Sequence, residues 1–532
     1  MAFVSMKFLF FLLVVCGGYF IMPAKLKWVW LLICSYTFYL LNDARAVAFI
    51  IFTTVITYIT GRILGKINRN QKTYLKENKT VLSREEKKCF KAKNITKKKW
   101  TLFTAILANL GLLVFLKYFN FFAGNINAVL SNLSLQMEVP ILNLMLPLGI
   151  SFYTLQALGY LIDVYRDKYE PDRNLAKFAL FLSFFPQIVQ GPIARYNQLA
   201  HQLYEAHKFE YKRVAFGAQL ILWGFMKKLI IADRLAPFVD EIFNNYVNYQ
   251  GITLFLGALA YGFQVYTDFS GGMDIARGAA QILGIDVAVN FERPYFARSI
   301  SEFWRRWHIT LGSWMKDYVF YPLALSKGFN KLGKRARNIF GNYIGKILPT
   351  FLSMFIVFLL VGVWHGSSWK YVAYGIWNGV FISGSILLEP VYEKIIAKLK
   401  INTKCFSWGF FQAIRTIFLC SIGRFFSRGV SCMAALRMIK HTFTVFNPWV
   451  LTDYSFYELG INERNMIVLV AMGLVLLVVG IMQERGIHIR EKIAEQNLYF
   501  RWLVYLGALA VLLIFGVYGN GLASTVFIYQ QF

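Results

Sequence analysis

A chain of 532 residues that is 57% hydrophobic, 17% aromatic and only 16% charged has too little polar surface to clothe a soluble globule. Its mean hydropathy of +0.47 points to a polytopic membrane protein. The formal net charge of +29 would suit a nucleic-acid partner, but the Lys and Arg residues collect in short blocks between apolar runs, and no soluble basic domain is present to hold a phosphate backbone.

Apolar runs of about 17–25 residues, the length that a hydrocarbon core of roughly 30 Å demands, recur along the whole chain. The first, 5–22, lacks a small-x-small cleavage site and leads directly into a second run, so it reads as an uncleaved span rather than a signal peptide. Further runs fall at 27–42, 46–65, 100–120, 139–162, 174–194, 213–231, 252–270, 348–364, 370–388, 406–425, 464–482 and 500–518. About eleven to thirteen spans are expected. None shows the period-2 alternation of barrel strands, so the fold class is an all-α membrane protein.

Basic blocks set the orientation. The segment 66–99, with Arg69, Lys72, Lys76, Lys79, Arg84, Lys87, Lys88, Lys91, Lys93, Lys97 and Lys98 against only Glu77, Glu85 and Glu86, is expected to be a cytoplasmic loop. Lys327, Lys331, Lys334, Arg335, Arg337 and Lys346 form a second block, and Lys394, Lys398, Lys400 and Lys404 a third. The helical pair between these two blocks then turns on the outer side, and that turn carries His365. Beyond topology, such blocks attract anionic lipid or an acidic cytosolic partner. The six cysteines form no CxxC pair and most lie in apolar stretches, so they carry no redox or metal signal.

Between Tyr261 and Leu325, charged and aromatic residues alternate too densely for a lipid-facing helix. Tyr266, Asp268 and Asp274 surround Ser270-Gly271-Gly272, a sequence expected to break or bend the span. Carboxylates at membrane depth survive only when buried in protein or lining a wet cavity. Next, Trp304, Trp307, His308, Leu311 and Trp314 recur at helical spacing, with Arg305, Arg306, Lys316 and Asp317 on other faces. An interfacial helix with a tryptophan belt accounts for this pattern as well as a site does. The basic block that follows brings this helix toward the cytoplasmic face.

A second unusual stretch is Trp364-His365-Gly366-Ser367-Ser368-Trp369, a small-residue and aromatic break after a long apolar helix. An imidazole is a poor choice for lipid and a good proton carrier near neutral pH, so His308 and His365 are candidates for chemistry. A structural histidine held by its neighbours is the plainer explanation of His365. His201, His207, His441 and His488 lie in polar or interfacial surroundings and suit surface roles.

The stretch NFERPYFARSISEFWRRWHITLGSWMKDYVFYPLAL, followed by an apolar helix and LLVGVWHGSSW, closely resembles the membrane-bound O-acyltransferase (MBOAT) family. The resemblance is strongest to the bacterial branch holding the alginate O-acetyltransferase membrane subunit and the teichoic-acid D-alanyltransferase. LPLGISFYTLQALGYLIDVYR, FFPQIVQGPIAR, QVYTDFSGGMDIARG and the terminal FIYQQF are also similar to that branch. The chain departs from the alginate pattern after Pro322, where LALSKGFNKLGK replaces a Gly-Gly-rich stretch, and at Asn378, where another histidine is usual.

This resemblance implies a helical bundle enclosing a tunnel, with re-entrant or interfacial helices. It divides the chain into N-terminal spans with the basic loop (1–136), a catalytic core (137–390) and C-terminal spans (391–532). It implies that His365 is catalytic and His308 a second essential histidine; Trp304, Arg305, Arg306, Trp307, Asp317, Trp364, Tyr266 and Asp268 are expected to line the substrate path. The expected activity moves an acetyl or D-alanyl group to hydroxyls of a cell-surface polysaccharide or teichoic acid, from a bacterial plasma membrane. No bound cofactor is implied; the donor enters as a co-substrate, acetyl-CoA or the phosphopantetheine thioester of an acyl carrier protein. An extracytoplasmic transferase partner is a further expectation, and nucleic acid is not.

Chemistry fits this reading. An imidazole of pKa about 6.5 can take a hydroxyl's proton during attack on a thioester. The expected arrangement has His365 deep or entered from outside, and His308 at the cytoplasmic mouth with Arg305, Arg306 or Lys316 near a pantetheine phosphate. A transporter or flippase for an envelope precursor is the rival class, but it predicts internal repeats that the two halves do not display. A metal site on His308 and His365 lacks a further ligand at suitable spacing.

Overall fold

The computed structural model describes residues 3–188 and 190–518. Its regular structure is helical, and among the described residues the β pairing comes down to an isolated bridge between Phe291 and Trp307. The FIYQQF motif lies outside the described residues.

Among the described residues six helices are long and apolar enough to cross a bilayer, and seven if the pair Trp369–Leu387 and Glu389–Lys398, bent by 63°, forms one span. The number is lower than the eleven to thirteen expected because several apolar runs fold as shorter pieces. The runs 5–22 and 27–42 become 16-residue helices, Met6–Ile21 and Lys27–Asn42. In 139–162 the chain is helical only from Ile150, after Pro147 and a left-handed Gly149 (φ 71°). In 174–194 the helix stops at Ser183, three residues before Pro186, which has no N–H to continue the helical ladder and sits in a separate one-turn helix, Phe185–Ile188.

The basic segment 66–99 is not a loop. It is the end of one helix, Val47–Glu77, and the start of another, Arg84–Asn132, joined by a short turn. Ser83 and Glu86 close a reciprocal capping box at the second start, so the polar chain continues as helix instead of fraying.

The chain divides into two compact units, one of Met1–Ala215 with Ala279–Val287, the other of Phe216–Gly278 with Ala288–Phe532. In the first, Val47–Glu77 packs on Arg84–Asn132 and on Ile150–Tyr165. There Asn68 donates its amide to the Val164 carbonyl across the helix pair (2.8 Å). In the second, the hairpin of Lys327–His365 and Trp369–Leu387 is the dominant packing, and Phe406–Arg428 lies on its second arm.

The helix Ile252–Ile282 runs unbroken through Gly271-Gly272, where the sequence suggested a break. Those small residues serve a close helix crossing instead. A Cβ on Gly224 would stand 2.6 Å from the Gly271 carbonyl oxygen, and one on Gly271 2.8 Å from that of Gly224. Directly after Gly224 the chain widens into a π-helical stretch, Met226–Ala232, which turns two consecutive lysines into the interior. Lys228 bonds Asp268 and Asp233 at 2.7 Å each, and Lys227 bonds Asp274 at 2.6 Å and Ser270 at 2.9 Å.

Candidate active site

His308 owes its position to a break in the helix that periodicity predicted over 304–314. The chain forms two short helices, Ile300–Arg306 and Ile309–Met315, with Trp307 extended between them and His308 in the left-handed region (φ 49°, ψ 51°). That conformation costs a residue bearing a Cβ about 1–3 kcal/mol, and it persists only where surrounding structure dictates it. Here the dictating strand is Asn290–Glu292. The Glu292 N–H donates to the Arg306 carbonyl (2.9 Å) and the Ile309 N–H to the Asn290 carbonyl (3.1 Å), with Phe291 bridged to Trp307 between them. The tryptophans are therefore core, not an interfacial belt. Trp304, Trp307 and Trp314 are all buried.

Asn290 also fixes the histidine's tautomer. Its Oδ1 accepts from the Thr310 N–H (3.0 Å) and the Thr310 hydroxyl (2.9 Å), and lies 3.3 Å from His308 Nδ1. An atom that accepts from a backbone N–H is the amide oxygen, so the proton between Asn290 and His308 sits on Nδ1 and Nε2 is the basic nitrogen.

His365 ends the helix Lys327–His365, where the Gly366 N–H returns to the Val363 carbonyl. Both histidines contact the indole between them: ring centroids lie 5.8 Å apart for His308 and Trp364, and 5.3 Å for Trp364 and His365. The two imidazoles therefore share one buried indole and are not two separate stations. His308 is only 1% exposed and His365 7%. Phe269 closes on His308 at 5.1 Å and Tyr374 on His365 at 5.8 Å. His365 lines a cavity of about 40 Å³ with Tyr261, Val265, Phe303, Trp307, Tyr371, Tyr374, Cys420, Arg424 and Ser427.

The other predicted residues fall into three groups. Trp304 belongs to the cluster's wall, its Nε1 donating to Asn378 Oδ1 at 2.9 Å, so the asparagine that replaces the expected histidine anchors an indole. Tyr266 joins from the next layer, edge-on to Phe291 and Tyr295 and tilted against Trp307. Asp268 is a buried counter-ion of Lys228 rather than an open carboxylate. Arg306 is fully engaged, forked onto Glu484 (2.9 and 3.0 Å) and bonded to Glu302 (2.9 Å), and Arg293 shares Glu484. Arg305 is exposed and bonds Ser301; Lys316 is exposed over the Tyr321 ring; Asp317 is half-buried on the π-helical turn Lys316–Phe320.

Sequence reading missed Asn290, Lys227, Lys228, Asp233 and Arg424. A Lys-Lys pair inside an apolar run, complementary to Asp268 and Asp274 six residues apart, is a signal that was present. Asn290 had none, because its role depends on a strand pairing.

The family model described as MBOAT, membrane-bound O-acyltransferase family, matches residues 31–428. A probable alginate O-acetylase of Pseudomonas syringae pv. tomato is 32% identical over 88% of the chain and 80% of its own length. A peptidoglycan O-acetyltransferase of Helicobacter pylori is 28% identical over 80% of the chain and 76% of its own. A teichoic acid D-alanyltransferase of Streptococcus thermophilus is 30% identical over 44% of the chain and 55% of its own.

Proposed function

This chain belongs to the membrane-bound O-acyltransferase family and is a multi-pass membrane O-acyltransferase, and from that premise we propose that it carries an acyl group from a cytosolic thioester to hydroxyls of a cell-envelope glycan. The observation that supports this most is the pair of buried imidazoles on one indole, His308 and His365 about Trp364. A hydroxyl at neutral pH needs a base, and a buried chamber walled largely by aromatic rings keeps water from competing for the acyl group. His365, which opens on the cavity, takes the acceptor's proton as the hydroxyl oxygen attacks the acyl carbon. His308, oriented by Asn290, presents Nε2 to the donor side of the chamber. The donor is acetyl-CoA or a carrier-bound phosphopantetheine thioester; the acceptor is a surface polysaccharide or teichoic acid, reached from outside, with an extracytoplasmic transferase as a partner that finishes delivery.

The test is acyl transfer in sealed proteoliposomes, with donor and acceptor added separately to each side. Donor is expected to work only from the side of the basic helix ends at 66–99, and His308→Ala is expected to impair donor use while glycan binding persists. Donor use from the opposite side, or unchanged donor use in His308→Ala, contradicts this arrangement.

Asn290 gives a separate check. Asn290→Ala is expected to lower transfer roughly 10- to 100-fold, the usual effect of removing a group that orients a histidine. Asn290→Asp still accepts from Thr310 and His308 and is expected to recover most of the rate. Equal losses in the two variants would make the residue a packing element only.

A further inference from the structure

Arg424 is buried at 6% exposure in the helix Phe406–Arg428, and its hydrogen-bonded partners are neutral. Its Nη1 donates to Ser421 Oγ at 3.2 Å and its Nη2 to the Tyr295 hydroxyl at 3.0 Å, with the Tyr295 ring 5.5 Å away. Among the described residues no carboxylate stands within ion-pair distance of it. Arg428, one turn later, is paired with Asp240 at 2.6 Å, so the helix does not simply carry unpaired cations. Space has been made for this guanidinium: a Cβ on Gly262 would fall 1.8 Å from Nη1.

Its position supplies a reason. Arg424 lines the 40 Å³ cavity that holds His365, and it also lines an apolar cavity of about 470 Å³ bounded by Leu256, Phe263, Phe456 and Leu477. A cation desolvated at membrane depth is costly unless something of opposite charge meets it. In acyl transfer that charge arises transiently. As the acceptor oxygen bonds to the thioester carbon, its proton passes to His365 and the carbonyl π pair becomes an oxyanion. Collapse restores the carbonyl and breaks the C–S bond, and the thiolate takes back the proton. A fixed positive charge beside the chamber stabilises the oxyanion and repels any acyl group that bears its own positive charge.

We propose that Arg424 is the anion-stabilising and acyl-selecting group of this chamber, and that it makes the chain a transferase for uncharged acyl groups such as acetyl, excluding the ammonium-bearing D-alanyl group. This rests on the acyl-transfer reading of the histidine cluster.

The experiment uses the full chain in proteoliposomes with acetyl and D-alanyl thioesters of the same phosphopantetheine carrier, and with an alginate oligosaccharide and a peptidoglycan muropeptide as acceptors. Wild type is expected to favour acetyl by about 100-fold or more, and Arg424→Gln to lower acetyl turnover by about 100-fold, the range for loss of one oxyanion donor. Arg424→Gln is also expected to narrow the acetyl to D-alanyl ratio at least about 10-fold, while Arg424→Lys keeps it. Because the ratio is read within each variant, it does not depend on how much of the protein folds. An unchanged ratio in Arg424→Gln, or a wild type that uses D-alanyl as readily as acetyl, overturns the proposal. Transfer that is lost in His365→Ala but untouched in Arg424→Gln contradicts Arg424 alone, whereas a wild type that consumes neither thioester contradicts the acyl-transfer reading beneath it.

Discussion

His365→Ala is expected to cut acyl transfer by about 10³-fold or more while leaving the fold intact. A positioned general base contributes roughly 10²–10⁴-fold, and the hydroxyl has no comparable proton acceptor once the imidazole is gone. The structural cost is small for a buried site. His365 is the last residue of its helix and already borders a cavity, so truncation enlarges an existing space instead of opening one in close-packed core. Transfer and thermal unfolding of the purified protein check this together. An active His365→Ala protein removes the residue from the chemistry, and a protein that unfolds or fails to insert returns it to a structural role.

The largest effect on stability is expected at Lys228. Its ammonium lies between Asp233 and Asp268, with side-chain exposures of 2%, 5% and 1% for the three groups. Lys228→Met leaves two carboxylates facing each other in a desolvated space, and removing one partner of a buried ion pair costs about 3–5 kcal/mol. Adding Asp268→Asn and Asp233→Asn to Lys228→Met is expected to recover much of that loss, since exchanging a whole buried ionic group for neutral side chains is often close to neutral. Unfolding in detergent, followed for the single and the triple variant, gives the coupling. A single variant as stable as wild type would show that the carboxylates find another partner or take up protons at no cost.

The sequence already carried the class of fold and the two histidines, because bulk apolarity and intramembrane imidazoles are visible without tertiary information. The number of spans was not. Length and hydropathy treat 139–162 and 174–194 as continuous, whereas Pro147, Gly149 and Pro186 divide them. Local composition misled at Gly271-Gly272 for the opposite reason, since those glycines meet Gly224 across a helix crossing that only the fold creates. Periodicity found the side chains of Trp304, Trp307 and His308 but drew one helix through them. The break at His308 comes from pairing with Asn290–Glu292, a contact between segments that no local window contains. Charge patterning had the same limit. Arg306 reads from sequence as an available phosphate ligand, and in the fold it is forked onto Glu484, 178 residues away.

The most direct test of the account is mass spectrometry of cell-surface polymers from cells expressing the wild-type chain, the His365→Ala chain or neither. Wild type is expected to add O-linked acyl groups to an envelope glycan, and His365→Ala cells to match those without the chain. Equal acylation with wild type and His365→Ala, or an unmodified glycan whose export alone depends on the chain, would contradict it, the latter in favour of a transporter.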